Sequence, residues 1–212
     1  MPALLSELIF GAFFQYSPRG DSKGARNSRR LRDIVTQFQP DGIARAMDVL
    51  AAGVDDSPLT TMLGPDVSLV PAPRSAPHVK GGLWPAKQLA DEMKARGLGS
   101  DVLELLQRDR KVTKSASADA GERPLPEVHL ETMSVTAVDL FTAPARIVVV
   151  DDIVTRGATL LACASLLKAY LPHSEIEAFG FVRTMSFVEV TTVIAPVVGR
   201  ITRRNGEAWR EP

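Results

Sequence analysis

The chain has 212 residues, 45% of them hydrophobic, and this length and composition favour a globular protein with a substantial core. Its 25 lysines and arginines are balanced by 25 aspartates and glutamates, so no overall field attracts nucleic acid or an anionic membrane surface. A single cysteine, Cys163, excludes an internal disulfide and is compatible with a reducing compartment. We therefore expect a cytoplasmic protein of one domain, residues 1–212, in which any anion site is local.

The first sixty residues predict one strand and two helices. Residues 9–16 form an apolar strand that ends at the turn sequence SPRG. The apolar N-terminal stretch contains Glu7 and is shorter than the roughly 20 residues of a membrane span, so we expect no membrane partner. We expect residues 1–60 to form a small hood above a core built by residues 61–212. Two amphipathic helices are predicted from apolar positions at helical spacing, Leu31, Ile34, Val35 and Phe38 in the first and Ile43, Met47, Leu50 and Ala51 in the second.

The remaining chain alternates between strands and helices. A short strand at residues 67–70 precedes a helix with the apolar face Ala86, Leu89, Ala90 and Met93. The tract 108–132 is polar and without a sustained period, as functional or disordered loops are. Uniformly apolar strands separated by helices predict the α/β class, with a mainly parallel sheet covered by helices on both faces. The later strands are predicted at residues 134–136, 147–150, 176–182 and 190–198, and the later helix carries Leu160, Cys163, Ala164, Leu167 and Leu171.

Two adjacent acids end the strand in the stretch IVVVDDIVTRGATL, residues 147–160. Asp151 and Asp152 are delivered to the carboxyl edge of the parallel sheet, where α/β proteins bind ligands. Vicinal sugar hydroxyls satisfy such a pair well, and Mg²⁺ can bridge nearby oxygens. The turn at residues 155–159 opens a helix whose backbone N–H groups favour an anion, and Gly157 permits close approach. The stretch therefore predicts a site for a phosphorylated sugar.

The stretch has two other interpretations. The aspartates can be a pair of solvated turn residues with no ligand. A response-regulator receiver also ends a strand on acids, but it needs far more chain after them than remains here. The first alternative stays open, and the length of the chain excludes the second.

The run VVVDDIVTRGAT resembles the phosphoribosyl-pyrophosphate signature of type I phosphoribosyltransferases. The resemblance implies a Rossmann-like type I phosphoribosyltransferase fold in which Asp151 and Asp152 hold the ribose 2′ and 3′ hydroxyls. Many members have serine or threonine where this chain has Arg156, which either adds charge for the phosphate or points into solvent. Members acting on 6-oxopurines usually carry aspartate where this chain has Thr155, which disfavours hypoxanthine or guanine as acceptor. The residues implied to bind the 5′-phosphate are Thr155, Arg156, Gly157, Ala158 and Thr159.

A second loop, in the sequence LVPAPRS, follows the strand at residues 67–70. Arg74 can bind phosphate oxygens in a fork and Ser75 adds a hydroxyl, which predicts a pyrophosphate site; the alternative is a proline-rich turn with an exposed arginine. VPAPRS resembles the pyrophosphate loop of the competence-associated ComF-like branch of the family. The chain lacks that branch's N-terminal zinc knuckle, and KGGLW stands where the branch usually has arginine, glycine, phenylalanine and asparagine.

The polar tract 108–132 matches, by its position between the two motifs, the flexible loop that closes over the active site in type I enzymes. Lys111 and Lys114 are the expected pyrophosphate contacts in it, and a plain solvated connection is the alternative. His129 is interpreted as a surface or partly buried histidine rather than a catalytic one. Arg183 follows the strand at residues 176–182 and is expected to contact the acceptor or pyrophosphate.

The resemblance implies transfer of ribose 5-phosphate from phosphoribosyl pyrophosphate to a small nitrogenous acceptor, with release of pyrophosphate. Asp151, Asp152 and Arg74 are the expected catalytic residues. Mg²⁺ is the expected cofactor, and a homodimer is expected because dimers are common in the family. The alternative function is a sensor that binds phosphoribosyl pyrophosphate or a nucleotide without turnover, or a ComF-like protein of DNA uptake or regulation.

Overall fold

A computed structural model describes residues 2–113, 124–136 and 143–212. The strands are β1 (Glu7–Tyr16), β2 (Ser68–Pro71), β3 (Asp101–Val102), β4 (Leu106–Arg108), β5 (Met133–Val135), β6 (Arg146–Val154), β7 (Glu175–Thr184), β8 (Ile194–Arg204) and β9 (Glu207–Glu211). The α-helices are α1 (Lys23–Gln37), α2 (Pro40–Gly53), α3 (Pro85–Ala95), α4 (Pro126–Leu130) and α5 (Ala158–Tyr170), and a 3₁₀ turn spans Pro58–Thr61.

A seven-stranded sheet, in the order β3-β2-β6-β7-β1-β8-β9, forms the centre of the protein. The first five strands in this order run parallel, β8 is antiparallel to β1, and β9 is antiparallel to β8. Strands β4 and β5 form a separate antiparallel ribbon. The predicted α/β class and mainly parallel sheet are confirmed.

Helices cover both faces of the sheet because successive side chains of a strand point to opposite faces. In β6, Val148 and Val150 pack on one face with the apolar sides of α1, α2 and α3. Ile147 and Val149 pack on the other face with α5. A strand buried on both faces must be apolar at every position, and this explains the continuous run at residues 147–150.

Strand β1 lies inside the sheet, between β7 and β8, so this part of the segment 1–60 belongs to the central sheet rather than to the expected hood. Its register with β7 runs from Phe10 opposite Ala178 to Tyr16 opposite Thr184. The run IFGAFF is apolar on both faces, as an interior strand requires. Helices α1 and α2 then pack on one face of the same sheet.

Several short elements and strand boundaries differ from the sequence prediction. Strands β3, β4 and β9, helix α4 and the 3₁₀ turn were not predicted, β6 continues past the two acids to Val154, and β8 spans Ile194–Arg204 rather than residues 190–198. Elements as short as the unpredicted ones carry too few residues to show a period. None of the described helices combines the length and apolar character that a membrane crossing requires.

The interior position of β1 predicts a large effect of truncating its buried side chains. Phe10 is fully buried, and we expect Phe10→Ala to lower the free energy of unfolding by about 3–5 kcal/mol. Its neighbour Ile9 is 41% exposed on the opposite side of the strand, and Ile9→Ala serves as the matched control with an expected cost of about 1 kcal/mol. Urea denaturation measures both values. Equal costs for the two variants would contradict the placement of β1.

Candidate functional site

Two loops meet at the carboxyl edge of the sheet because β2 and β6 are adjacent and parallel. Pro71 pairs with Val150, and the N–H of Ala72 donates to the carbonyl of Val150 at 2.8 Å. The chain leaving β2 therefore runs beside the acids at the end of β6. A pocket of about 340 Å³ opens between them, a volume within the range of small-molecule sites.

The pocket brings together five residues predicted from the sequence. Arg74 and Ser75 come from the loop after β2, Asp151 and Asp152 from β6, and Thr159 from the first turn of α5. The wall also contains residues without a predicted role in the site, Trp84, Arg108, Thr113 and His129 among them. Arg74 and Asp151, 77 positions apart in the chain, thus line one cavity, as parallel pairing requires.

The aspartates make local hydrogen bonds that fix their carboxylates. One oxygen of Asp151 accepts from the N–H of Asp152 at 3.0 Å, and one oxygen of Asp152 accepts from the N–H of Ile153 at 2.8 Å. Burial raises the pKa of Asp151 well above its usual value, and the adjacent Asp152 carboxylate raises it further, while the charge of Arg108 opposes the shift. A ligand that donates hydroxyl groups, or a cation, would relieve this unfavourable pairing.

The loop after β2 is held in place at three points. The indole N–H of Trp84 donates to the carbonyl of Ala72 at 2.8 Å, and Arg108 Nε donates to the carbonyl of Arg74 at 2.9 Å. The N–H of Val112 donates to the carbonyl of Ser75 at 2.7 Å. These contacts fix the backbone from which the Arg74 guanidinium and the Ser75 hydroxyl project, so the loop is organised before a ligand arrives.

The turn before α5 has the features of an anion cradle. Gly157 has φ of 90°, and a Cβ atom there would lie 2.4 Å from Ile201 Cδ1, so both the backbone and the packing require glycine. The first hydrogen bond into the helix runs from Leu161 N to Gly157 O at 2.9 Å. The N–H groups of Gly157, Ala158 and Thr159 donate to no other residue in the described part of the chain. Such groups at a helix N-terminus favour a negatively charged ligand.

Arg156 is placed differently from either sequence alternative, because its guanidinium is paired with β9. Its Nη1 donates to Glu207 Oε2 at 2.9 Å, and its Cζ lies 5.9 Å from the centre of the Trp209 ring. Arg156 lines a separate cavity of about 20 Å³ together with Thr155 and Ala158, too small for a phosphate group. Arg156 therefore neither points freely into solvent nor supplies an uncompensated charge to the large pocket.

Of the other predicted cations, Lys111 and Arg183 do not line the pocket. Lys111 is exposed, and Lys114 lies outside the described residues, as does the part 114–123 of the predicted flexible loop 108–132. Arg183 is buried, and its Nη2 donates to Gln15 Oε1 at 3.2 Å and to the carbonyl of Ala195 at 3.5 Å. Burial lowers the pKa of Arg183. Its guanidinium is held between β1 and the start of β8, which separates it from Arg74.

Arg108 and His129 are two buried residues of the wall that sequence reasoning did not assign to the site. Arg108 is 5% exposed, and it donates to the Thr132 hydroxyl at 2.6 Å and to the carbonyl of His129 at 3.3 Å. His129 is 3% exposed and is therefore a core residue of the wall, against the surface or partly buried position that was expected. No period marks either residue, since Arg108 lies on a three-residue strand and His129 on a five-residue helix.

The donor set at the end of β6 fits a magnesium ion that shares its ligands with a bound phosphate compound. Among residues 2–113, 124–136 and 143–212, no group of three or more histidine, cysteine, aspartate or glutamate side chains is arranged to hold a metal. Protein sites usually hold Mg²⁺ by one or two carboxylates together with phosphate oxygens of the substrate. Asp151 and Asp152 satisfy this requirement.

In comparisons with known proteins, no family model matches the chain and no curated protein sequence matches it. A functional assignment therefore depends on the residues of this pocket and on their arrangement.

Burial of His129 predicts a pH dependence of stability. Burial, and after it the charge of Arg108, lowers the pKa of His129 from 6.5 to about 4. Between these pH values the unfolded chain binds more protons than the folded one, so stability is lost as the pH falls from about 6.5 to about 4. The loss attributable to His129 is about 3 kcal/mol.

Urea denaturation at several pH values between 7 and 4 measures this effect in the wild type, in His129→Gln and in the control His173→Gln, which removes an exposed histidine. Only His129→Gln should have a weaker pH dependence. The raised pKa of Asp151 acts with the opposite sign, because the folded state then binds the extra proton, but it acts in all three proteins. Equal slopes in the wild type and His129→Gln would contradict the prediction.

Proposed function

We propose that the pocket binds phosphoribosyl pyrophosphate and that the protein is a phosphoribosyltransferase with the type I fold. It would transfer ribose 5-phosphate to a small nitrogenous acceptor and release pyrophosphate. The observation that carries the proposal is the meeting of Arg74 and Ser75 with Asp151, Asp152 and Thr159 in one pocket. These residues supply, side by side, a guanidinium for phosphate, carboxylates for hydroxyls, and the entrance of an anion-binding helix.

Each part of the ligand has a matching group in the pocket or in the turn that leads to Thr159 at its edge. Asp151 and Asp152 would accept hydrogen bonds from the ribose hydroxyls, which would relieve the unfavourable pairing of the two carboxylates. The backbone N–H groups of residues 157–159 and the Thr159 hydroxyl would bind the 5′-phosphate. Arg74 and Ser75 would bind the pyrophosphate. Arg156 contributes backbone only, since its charge is already paired with Glu207.

The reaction exchanges one bond at the anomeric carbon. The bond from C1′ to the pyrophosphate oxygen breaks, a bond from C1′ to the acceptor nitrogen forms, and the acceptor loses a proton. Negative charge grows on the leaving pyrophosphate, where the fixed Arg74 guanidinium would stabilise it. Bound Mg²⁺ would add positive charge to the same group. The aspartates and the helix turn would hold the sugar phosphate in place while this occurs.

One observation favours the alternative, a sensor that binds the same ligand without turnover. Among the described residues that line the pocket, the cationic side chains are Arg74 and Arg108. Arg108 already donates to Arg74 O, His129 O and Thr132 Oγ1. A single available guanidinium is a modest provision for a leaving group with several negative charges. Binding without pyrophosphate release would identify the sensor.

Calorimetric titration with phosphoribosyl pyrophosphate and Mg²⁺ tests the proposed ligand. We expect the wild type to bind and Asp152→Asn to bind at least roughly tenfold more weakly, because the amide presents one acceptor oxygen in place of a carboxylate. Asp55→Asn, a change at an exposed aspartate after α2, is the matched control and should bind as the wild type does. Absence of wild-type binding at millimolar ligand would contradict the proposal.

Pyrophosphate release with a panel of purine bases, pyrimidine bases and amines then separates the two functions. Release with one acceptor would establish the enzyme and name its acceptor. Binding without release by any of them would support the sensor.

A pair of ligands tests the assignment of Arg74. Ribose 5-phosphate lacks the pyrophosphate, so Arg74→Ala should weaken binding of phosphoribosyl pyrophosphate roughly tenfold or more while changing the affinity for ribose 5-phosphate by less than about threefold. Asp152→Asn should weaken both ligands. If Arg74→Ala weakened both ligands equally, Arg74 would not be the pyrophosphate contact.

A further inference from the structure

The pairing of Arg108 with His129 determines which nitrogen of the histidine carries the proton. Arg108 Nη2 lies 3.3 Å from His129 Nδ1, and both side chains are buried. A guanidinium is only a donor, so the nitrogen that faces it must be the acceptor, without a proton. A neutral imidazole carries one proton, which then resides on Nε2.

The protonated nitrogen faces the helix turn of the candidate phosphate site. His129 Nε2 lies 3.5 Å from Thr159 Oγ1, and both residues line the large pocket. This distance is at the long end for a hydrogen bond, and such contacts at functional sites often shorten when the ligand binds. With Nε2 as donor, Thr159 Oγ1 is the acceptor of this contact.

The hydroxyl proton of Thr159 is therefore directed away from His129. In the described part of the chain, no carbonyl or carboxylate accepts a hydrogen bond from Thr159 Oγ1. A threonine inside a helix often donates to a carbonyl of the preceding helical turn. Thr159 is the second residue of α5 and follows Gly157, whose backbone is left-handed, so no helical turn precedes it. The remaining acceptor position is in the pocket itself.

We propose that Arg108 fixes His129 as the Nε2–H tautomer and that His129 thereby turns the hydroxyl proton of Thr159 toward the pocket, as a donor to an anionic oxygen of the ligand. The inference rests on the proposed function for the identity of that oxygen, which belongs to the 5′-phosphate. His129 is a positioning residue, since it acts through Thr159. Its neutral form suits this role, because a second charge beside Arg108 in a buried wall is unfavourable.

Arg108 also contacts the loop after β2, which carries Arg74. The same guanidinium that faces His129 Nδ1 donates through Nε to the carbonyl of Arg74 at 2.9 Å. One buried side chain thus touches the backbone that carries Arg74 and the ring that faces Thr159. The two ends of the pocket are held by a common group.

Nitrogen-15 NMR of the histidine side chains tests the tautomer without any ligand. The chain has three histidines, and the signals that disappear in His129→Asn identify those of His129. We expect a proton on Nε2, an unprotonated Nδ1 at neutral pH, and a change in the Nε2 signal in Thr159→Val. A proton on Nδ1, or on both nitrogens at neutral pH, would overturn the inference.

Two substitutions of His129 separate positioning of Thr159 from support of Arg108. The asparagine of His129→Asn can place an oxygen near the position of Nδ1 and still accept from Arg108, but it has no donor at the position of Nε2. The glutamine of His129→Gln can place its amide N–H near the position of Nε2. We expect His129→Asn to weaken ribose 5-phosphate binding roughly fivefold to tenfold, and His129→Gln by less than about twofold.

Thr159→Val should weaken the binding of ribose 5-phosphate as much as His129→Asn does, and the double variant should weaken it no further. The reverse order of the two His129 variants, or additive effects in the double variant, would overturn the inference and leave His129 as a support for Arg108. If the wild type bound neither ribose 5-phosphate nor phosphoribosyl pyrophosphate, the proposed function would fail. The tautomer would still be decided by NMR.

Discussion

The parallel pairing of β2 with β6 is the constraint on which the candidate site depends. The register places Ser68 opposite Ile147 and Pro71 opposite Val150, so β2 ends one position before the level of Asp151 in β6. The chain leaving β2 forms the loop with Arg74, while β6 stays paired with β7 as far as Val154, so Asp151 and Asp152 are held in the sheet beside that loop. A shift of the register by one residue would exchange the side chains of β6 between the two helix layers and move the aspartates, so the core and the site fix the same alignment.

Two ionisable groups of the pocket, Asp151 and Arg108, lie in surroundings that disfavour their charged forms. The carboxyl group of Asp151 has a raised pKa because of burial and its neighbour Asp152, and Arg108 has a lowered pKa because of burial. Arg108 forms no ion pair with a described carboxylate and is satisfied instead by carbonyl and hydroxyl oxygens. Ionisable groups perturbed in this way and gathered in one cleft are characteristic of functional sites. A ligand with hydroxyl donors and anionic oxygens would complement both kinds of group.

Much of the fold and the centre of the site follow from local sequence. Continuous apolar runs predicted a parallel sheet, and parallel strands end at one edge, so the meeting of Arg74 with Asp151 could be expected from two separate motifs. Gly157 was recognisable because only a glycine suits a tight turn between a strand and a helix. The hood was predicted wrongly at β1 since an apolar run indicates burial on both faces but does not say between which strands it lies.

The remaining features depend on contacts between distant segments that no local period reveals. Arg156 is paired with Glu207, which lies 51 positions later on an unpredicted strand, and sequence spacing gave no reason to connect them. Arg108 and His129 are 21 positions apart and lie on elements too short for a pattern, so neither burial nor partnership was visible. Arg183 was expected after an apolar strand but lies inside β7, and its guanidinium is directed by Gln15 of β1, whose place in the sheet was not foreseen.

Under the proposed function, phosphoribosyl pyrophosphate binds in the cleft between the end of β2 and the end of β6. A crystal structure of the protein with phosphoribosyl pyrophosphate and Mg²⁺ tests this binding most directly. We expect the 5′-phosphate at the N–H groups of Gly157 and Thr159, the ribose hydroxyls on Asp151 and Asp152, and the pyrophosphate at Arg74. A ligand bound outside this pocket, or bound in the reverse direction with its 5′-phosphate at Arg74, would contradict it.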